Sequence, residues 1–332
     1  MISSILKSNR PGVIIFIVLA GILIWGLSIL NTNVVEISGD ILSMPLYRLF
    51  GNIIPVNSLA SIFVGFAFVL FQAFLLIQFN RKYILINYRT YLPAFFYILI
   101  SGSFIPLQRF NPTLIGTIFI FLSLDYIFSI YREEYALNKL YLAGFFISIA
   151  SLFWVPFSVF FIVIWISLSV LRPFIGREWI VSLLGFLTPY LFVFVFYFVV
   201  FDLSELTLLL ENVKEGFSFI KEFNNIHLAY YLFYGFLLFI ILNASYVLIM
   251  NFQMKKIRTR KYFVINWWLF VICLILFFFF KYVSFEIIYL ISIPISFLLT
   301  NYFYTLKRNW YLNSIIIILI GLIVYIQITA HY

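Results

Sequence analysis

The chain has 332 residues, 65% of them hydrophobic and 10% charged, against about a quarter charged in a soluble globular domain. No water-soluble fold hides that much apolar surface, so the expected organisation is a single transmembrane domain over residues 1–332. The formal net charge of +9 would suit nucleic acid, but its placement belongs to membrane topology, and no nucleic-acid partner is expected.

A bilayer core of ~30 Å takes ~20 helical residues at ~1.5 Å each. The first apolar run, 11–30, has that length and follows Lys7 and Arg10. It is long for a signal-peptide core and no A-x-A site follows, so it reads as a permanent helix. Further runs lie at about 57–79, 91–105, 113–130, 140–154, 156–171, 179–201, 227–250, 263–280, 285–304 and 311–330. The expected fold class is therefore all-α, a polytopic transmembrane helical bundle of about 11 spans whose partner is the lipid bilayer.

With the N-terminus cytoplasmic and the C-terminus periplasmic, all but five of the 21 Lys and Arg collect on the cytoplasmic side, as the positive-inside rule asks. The exceptions are Arg48, Arg109, Lys214, Lys221 and Lys281. Segment 140–171 decides the register. Read as one long helix, it would move the cluster 255–261 outside, so the charge rule favours a short helical hairpin broken at Trp154, Val155 and Pro156. Helices of ~15 residues cross only where the bilayer thins or neighbours shield them.

Two periplasmic segments are long. The first, 31–56, carries Glu36 and Asp40 around Gly39, then a candidate interfacial helix at 44–50. The second, 202–226, places Leu203, Leu206, Leu210, Val213 and Phe217 at three- and four-residue spacing among charges, as in an amphipathic helix on a membrane surface. It is either a solvated connector or a binding lid. Of the 12 acidic residues, Glu36, Asp40, Asp202, Glu205, Glu211, Glu215, Glu222 and Glu286 fall on this face. Carboxylates contribute little to orientation, so the asymmetry points to function.

The sequence contains no P-loop, G-x-G-x-x-G, H-E-x-x-H or G-x-S-x-G. Its two histidines, His227 and His331, exclude a multi-histidine iron or zinc centre, and no metal site is expected. Cys273, the lone cysteine, reads as a small buried apolar residue. Charges at membrane depth cost ~2.5–3.5 kcal/mol on insertion scales and usually mark function. Asp125, near the end of its span, either reaches the cytoplasmic interface or pairs with Arg132; Lys281 and Glu286 flank the outer end of the tenth span and either pair or face a polar cavity.

Leu142, Ala143 and Gly144 are followed by a short apolar run to Trp154, by Pro156, by a second short run, and by Arg172 and Arg177 before another span. This order resembles polyprenyl-phosphate-sugar-dependent glycosyltransferases of the GT-C class, a likeness of topology over roughly the first 200 residues. The resemblance implies an essential acid in the first outer loop, where Glu36 and Asp40 lie. It further implies a polyprenyl-phosphate-linked sugar donor, no other cofactor, and a place in the bacterial inner membrane. Arg48, Arg109 and Lys281 are the cations available to hold the phosphate; their alternative role is snorkelling to the interface. Residues from Arg172 to Tyr190 also resemble a family of bacterial inner-membrane proteins without an assigned activity. Two other readings stay open. One is a non-catalytic subunit of an envelope assembly, with membrane-protein partners. The other is a transporter or lipid flippase, which would need broken helices around a mid-membrane cavity.

Overall fold

The computed structural model describes residues 6–7, 12–30, 44–47, 58–200, 203–219, 227–283, 285–306 and 309–329. Among them the architecture is all-helical, with an isolated antiparallel bridge between Phe219 and Phe280. In chain order the helices are α1 (Gly12–Leu30), α2 (Leu59–Tyr83), α3 (Leu92–Ser101), α4 (Pro112–Ser129), α5 (Leu137–Ser151), α6 (Phe161–Leu171), α7 (Gly176–Val200), α8 (Leu203–Gly216), α9 (Leu228–Met250), α10 (Ile257–Phe279), α11 (Ile288–Thr305) and α12 (Asn309–Thr329). Short 3-10 turns, Val155–Phe160 and Phe285–Ile287, lead into α6 and α11. Seven of these helices are long and apolar enough to cross a membrane: α2, α4, α7, α9, α10, α11 with its leading turn, and α12. The apolar helices α1, α3 and α5 and the segment Val155–Leu171 are shorter by that measure.

Local chemistry sets several of the ends. Ser58 caps α2 by accepting from Ser61 N at 3.1 Å, and Asn111 caps α4 by accepting from Leu114 N at 2.9 Å, with Pro112 in the first turn where its missing N–H costs nothing. At its other end α2 stops on Ile84, whose φ of 52° is left-handed and whose N–H returns to Asn80 O. A β-branched residue resists that conformation. The Asn80 side chain holds it by accepting from Ile86 N at 3.0 Å.

Successive helices alternate between two ends. At one end Tyr83 donates to Asp125 O (2.6 Å), Arg172 to Ile130 O (3.2 Å), Lys261 to Leu171 O (3.3 Å), Lys255 to Asn301 Oδ1 (2.6 Å) and Tyr304 to Lys7 O (2.9 Å). This is the basic end. At the other, Phe110 N donates to Ser61 O (3.0 Å), Ser28 to Gln108 Oε1, Gln327 to Ile24 O, and Phe104 stacks on Phe285 at 4.5 Å. Segment 140–171 shows the reversal clearly. Arg172 bonds Ile130 O, just before α5, whereas one straight helix of ~32 residues would part those ends by ~48 Å.

Burial varies from the centre outward. All ten residues of α3 are buried, and α3 packs against α2 and α11. At ~15 Å it is too short to face lipid alone, but buried in protein its free backbone groups have partners. By contrast α7 is mostly exposed, with Phe192, Phe194, Phe196 and Phe198 all outward. Its inner face is held by α5, where Gly144 and Gly185 let the two backbones touch. A Cβ on Gly144 would stand 2.2 Å from Ser182 O, and one on Gly185 2.1 Å from Tyr141 O.

Candidate functional site

Polar side chains gather at the end opposite the basic one, around the turn from α3 to α4. Gln108 donates to Gly102 O at 2.6 Å, Asn111 to Arg109 O at 3.2 Å, and Tyr289 of α11 to Leu107 O. Gly65 of α2 lies against the same turn, where a Cβ would come within 2.9 Å of the Arg109 carbonyl carbon. The turn is thus fixed from three helices. Arg109 itself is only 4% exposed. Burial lowers its pKa from the ordinary guanidinium value, which still leaves it a cation at neutral pH. Glu286, 1% exposed, belongs to the neighbouring turn Phe285–Ile287, whose Phe285 carries the stack on Phe104.

Both of the long segments 31–56 and 202–226 have described residues anchored here. Residues 45–47 form a helical turn, with Tyr47 N donating to Met44 O at 3.0 Å and the Tyr47 ring 6.2 Å from that of Phe110, next to Arg109. Met44 packs with Leu152 and Val155 at the α5–α6 reversal, and Val213 of α8 joins the same cluster. The end of α8 is seated there through Gly216, where a Cβ would meet Val155 at 2.7 Å. Beyond it Ser218 O accepts from Lys281 N at 3.0 Å, and the Lys281 ammonium lies 5.3 Å from the Tyr282 ring centroid.

Of the expected site residues, Arg109 and Lys281 therefore sit at one end, in adjoining turns. Glu36, Asp40 and Arg48 lie outside the described residues. Of the expected alternatives for Asp125, the pair with Arg132 is not formed: Asp125 reaches the basic end and pairs there with Lys82 at 2.6 Å, because α2 and α4 end side by side, while Arg132 lies over the Tyr131 ring. Among the described residues no group of three or more His, Cys, Asp or Glu side chains stands together as a metal ligand set.

Sequence reasoning missed two features at the basic end. One is a buried ion pair, Arg172 to Glu178 at 2.9 Å, clamping the turn between α6 and α7. The other is a pair of clefts divided by the loop after α2. One, of about 480 Å³, is lined by Arg81, Arg89 and Asn80; the other, of about 260 Å³, by Lys255, Lys256 and Asn301. No sequence motif announces them: the described lining of the larger falls within 80–89, and the walls of the smaller come from segments far apart in the chain.

The family model DUF6427, described as a family of unknown function, matches residues 33–332. No curated protein and no solved structure matches the chain.

Proposed function

We propose the following for a chain that belongs to the DUF6427 family of unknown function: it crosses a bacterial inner membrane eleven times and transfers a sugar from a polyprenyl-phosphate donor at the periplasmic face. The eleven crossings are the seven long helices together with α1, α3, α5 and Val155–Leu171, which alternate in direction with them. The basic end faces the cytoplasm, in keeping with the positive-inside rule.

Transfer requires that an acceptor hydroxyl attack the anomeric carbon while the bond from that carbon to the phosphate oxygen breaks. Glu36 or Asp40 takes the hydroxyl proton, and Arg109, with Arg48 and Lys281, holds the departing polyprenyl phosphate. The observation that carries this reading is the docking of the first outer segment on the Arg109 turn, through Tyr47 against Phe110. It anchors the segment that bears the candidate carboxylates beside a sequestered cation. Pro189 and Pro294 lie inside helices that run on past them, which favours this reading over a transporter built on discontinuous helices.

The test is the double variant E36Q/D40N. Removal of the base is expected to slow sugar transfer by the purified protein at least ~100-fold and to deplete a surface glycan of the host. Unchanged glycans at wild-type protein levels would overturn the reading.

A further inference from the structure

The two clefts at the basic end have no part in sugar transfer at the other. They share a wall, Ile86, Asn87 and Tyr88, and that wall is fixed: Asn80 takes Ile86 N, and the Tyr88 ring stacks on Tyr304 at 4.7 Å and 11°. On the α10 side the cleft of about 260 Å³ is lined by Asn251, Lys255, Lys256, Thr259, Asn301 and Thr305 among others, with no carboxylate among the described residues of its lining.

Membrane insertion explains positive charge on this side, but it asks only for number and side. It does not ask that a lysine be drawn inward. Lys255 is half-buried, its ammonium 2.6 Å from Asn301 Oδ1 and 5.0 Å from the Phe263 ring centroid, and burial lowers its pKa. Its hydrogen-bond acceptor is thus a neutral amide. Asn301 is 4% exposed, and its amide nitrogen has no partner among the described residues. A buried donor left so costs about 1–3 kcal/mol. Lys256 sits at the N-cap of α10 and no side chain among the described residues caps that terminus, so the helix presents its first N–H groups and the positive end of its dipole here. A lysine held by a neutral group, an orphaned amide and an uncapped helix start all lack an anion.

We propose that the cleft between the 85–88 loop and the adjoining ends of α10 and α11 binds a phosphate group, that of an anionic lipid headgroup or of a free phosphate, through Lys255, Lys256 and the Asn301 amide. Its volume is below the usual range of drug-sized pockets and suits a headgroup. A phosphate offers several acceptor oxygens to the two ammonium groups and the amide at once.

The full-length protein in phosphatidylcholine nanodiscs provides the test, with added phosphatidylglycerol or added inorganic phosphate, read by native mass spectrometry and by the unfolding midpoint. Wild type is expected to retain the phosphate-bearing molecule and to melt higher with it. K255Q/K256Q weakens binding at least ~tenfold, about 1.4 kcal/mol. N301D keeps the contact to Lys255, and so the fold, but places a carboxylate in the wall and abolishes binding. The charge-matched variant R132Q/R177Q binds within about twofold of wild type. A response to phosphatidylglycerol alone identifies a headgroup, and a response to inorganic phosphate identifies a free anion. No response to either overturns the proposal. So does equal weakening by the two double variants, or wild-type binding by N301D, since either result reduces the cleft to diffuse charge.

Discussion

Arg258 leaves the first turn of α10 and meets three tyrosines: Tyr262 of its own helix, Tyr83 at the end of α2 and Tyr131 beyond α4, with ring centroids 5.3, 5.8 and 5.9 Å from the guanidinium carbon. Its Nε donates to Tyr262 Oη at 2.8 Å, and that hydroxyl donates on to Phe128 O at 2.8 Å. One planar cation therefore joins the ends of three helices, a task for which the compact ammonium of lysine has the wrong shape. Each cation–π contact contributes about 0.5–1 kcal/mol at such half-exposed sites. R258K is expected to lower stability by about 1–2 kcal/mol through the lost Nε bond and looser stacking, measured by thermal unfolding in detergent. R260K, two residues on, is expected to stay within about 0.5 kcal/mol of wild type. Equal effects of the two changes would remove the cage as a structural element.

Between α5 and α7 the same reasoning applies to glycine. Gly144 and Gly185 each lie against the other helix's backbone, so a methyl at either position has no flexible side chain to push aside. G144A and G185A are each expected to destabilise by about 1–3 kcal/mol, and the double change by less than their sum, because the first already parts the helices. Gly235 in α9 has nothing within 4 Å of an added Cβ, and there alanine is expected to stabilise by up to about 1 kcal/mol. Small residues at helix contacts are a common device in lipid, where close backbone packing replaces the hydrophobic effect. The helices themselves were legible in the sequence, because long apolar runs have no other solution in a bilayer. Their basic ends were not. α10 begins at Ile257 rather than near 263, and α2 runs to Tyr83 rather than 79, since hydropathy discards Arg258, Arg260, Arg81 and Lys82 while backbone hydrogen bonding does not. Arg109 was legible as a cation at the end opposite the basic one but not as a buried one. The backbone of its turn is fixed by Gly65 and Tyr289, which reach it from other parts of the chain. The cleft beside Lys255 was hidden for the same reason, because the stack of Tyr88 on Tyr304 joins residues that no local pattern links.

Across the whole molecule both ends hold charge inside. The basic end sets its cations on carbonyls, rings and the carboxylates of Asp125, Glu133 and the buried Glu178, and the far end keeps Arg109 and Glu286 inside. If the helices alternate across a bilayer, the number of passes between two positions decides whether they share a side. Four passes, α5, α6, α7 and α9, separate Asn138 from Gln253, three separate Asn138 from Glu215, and five separate it from Lys281. Single cysteines at these exposed positions, in a C273S background that removes the buried native thiol, report the side through an impermeant thiol reagent. N138C and Q253C are expected to label from the cytoplasmic side, and E215C and K281C from the other. A cysteine at Ser158, half-buried in the turn leading into α6, is expected to label more slowly from the same side as E215C. N138C and Q253C on opposite sides would make 140–171 a single crossing. Labelling of S158C from the cytoplasm would make it a re-entrant hairpin, with nine crossings in place of eleven. The first result would put Lys255 on the side of Arg109, whereas the second removes two passes and leaves every other position on its side, so the same labelling pattern also decides whether the Lys255 cleft and the Arg109 turn face different compartments.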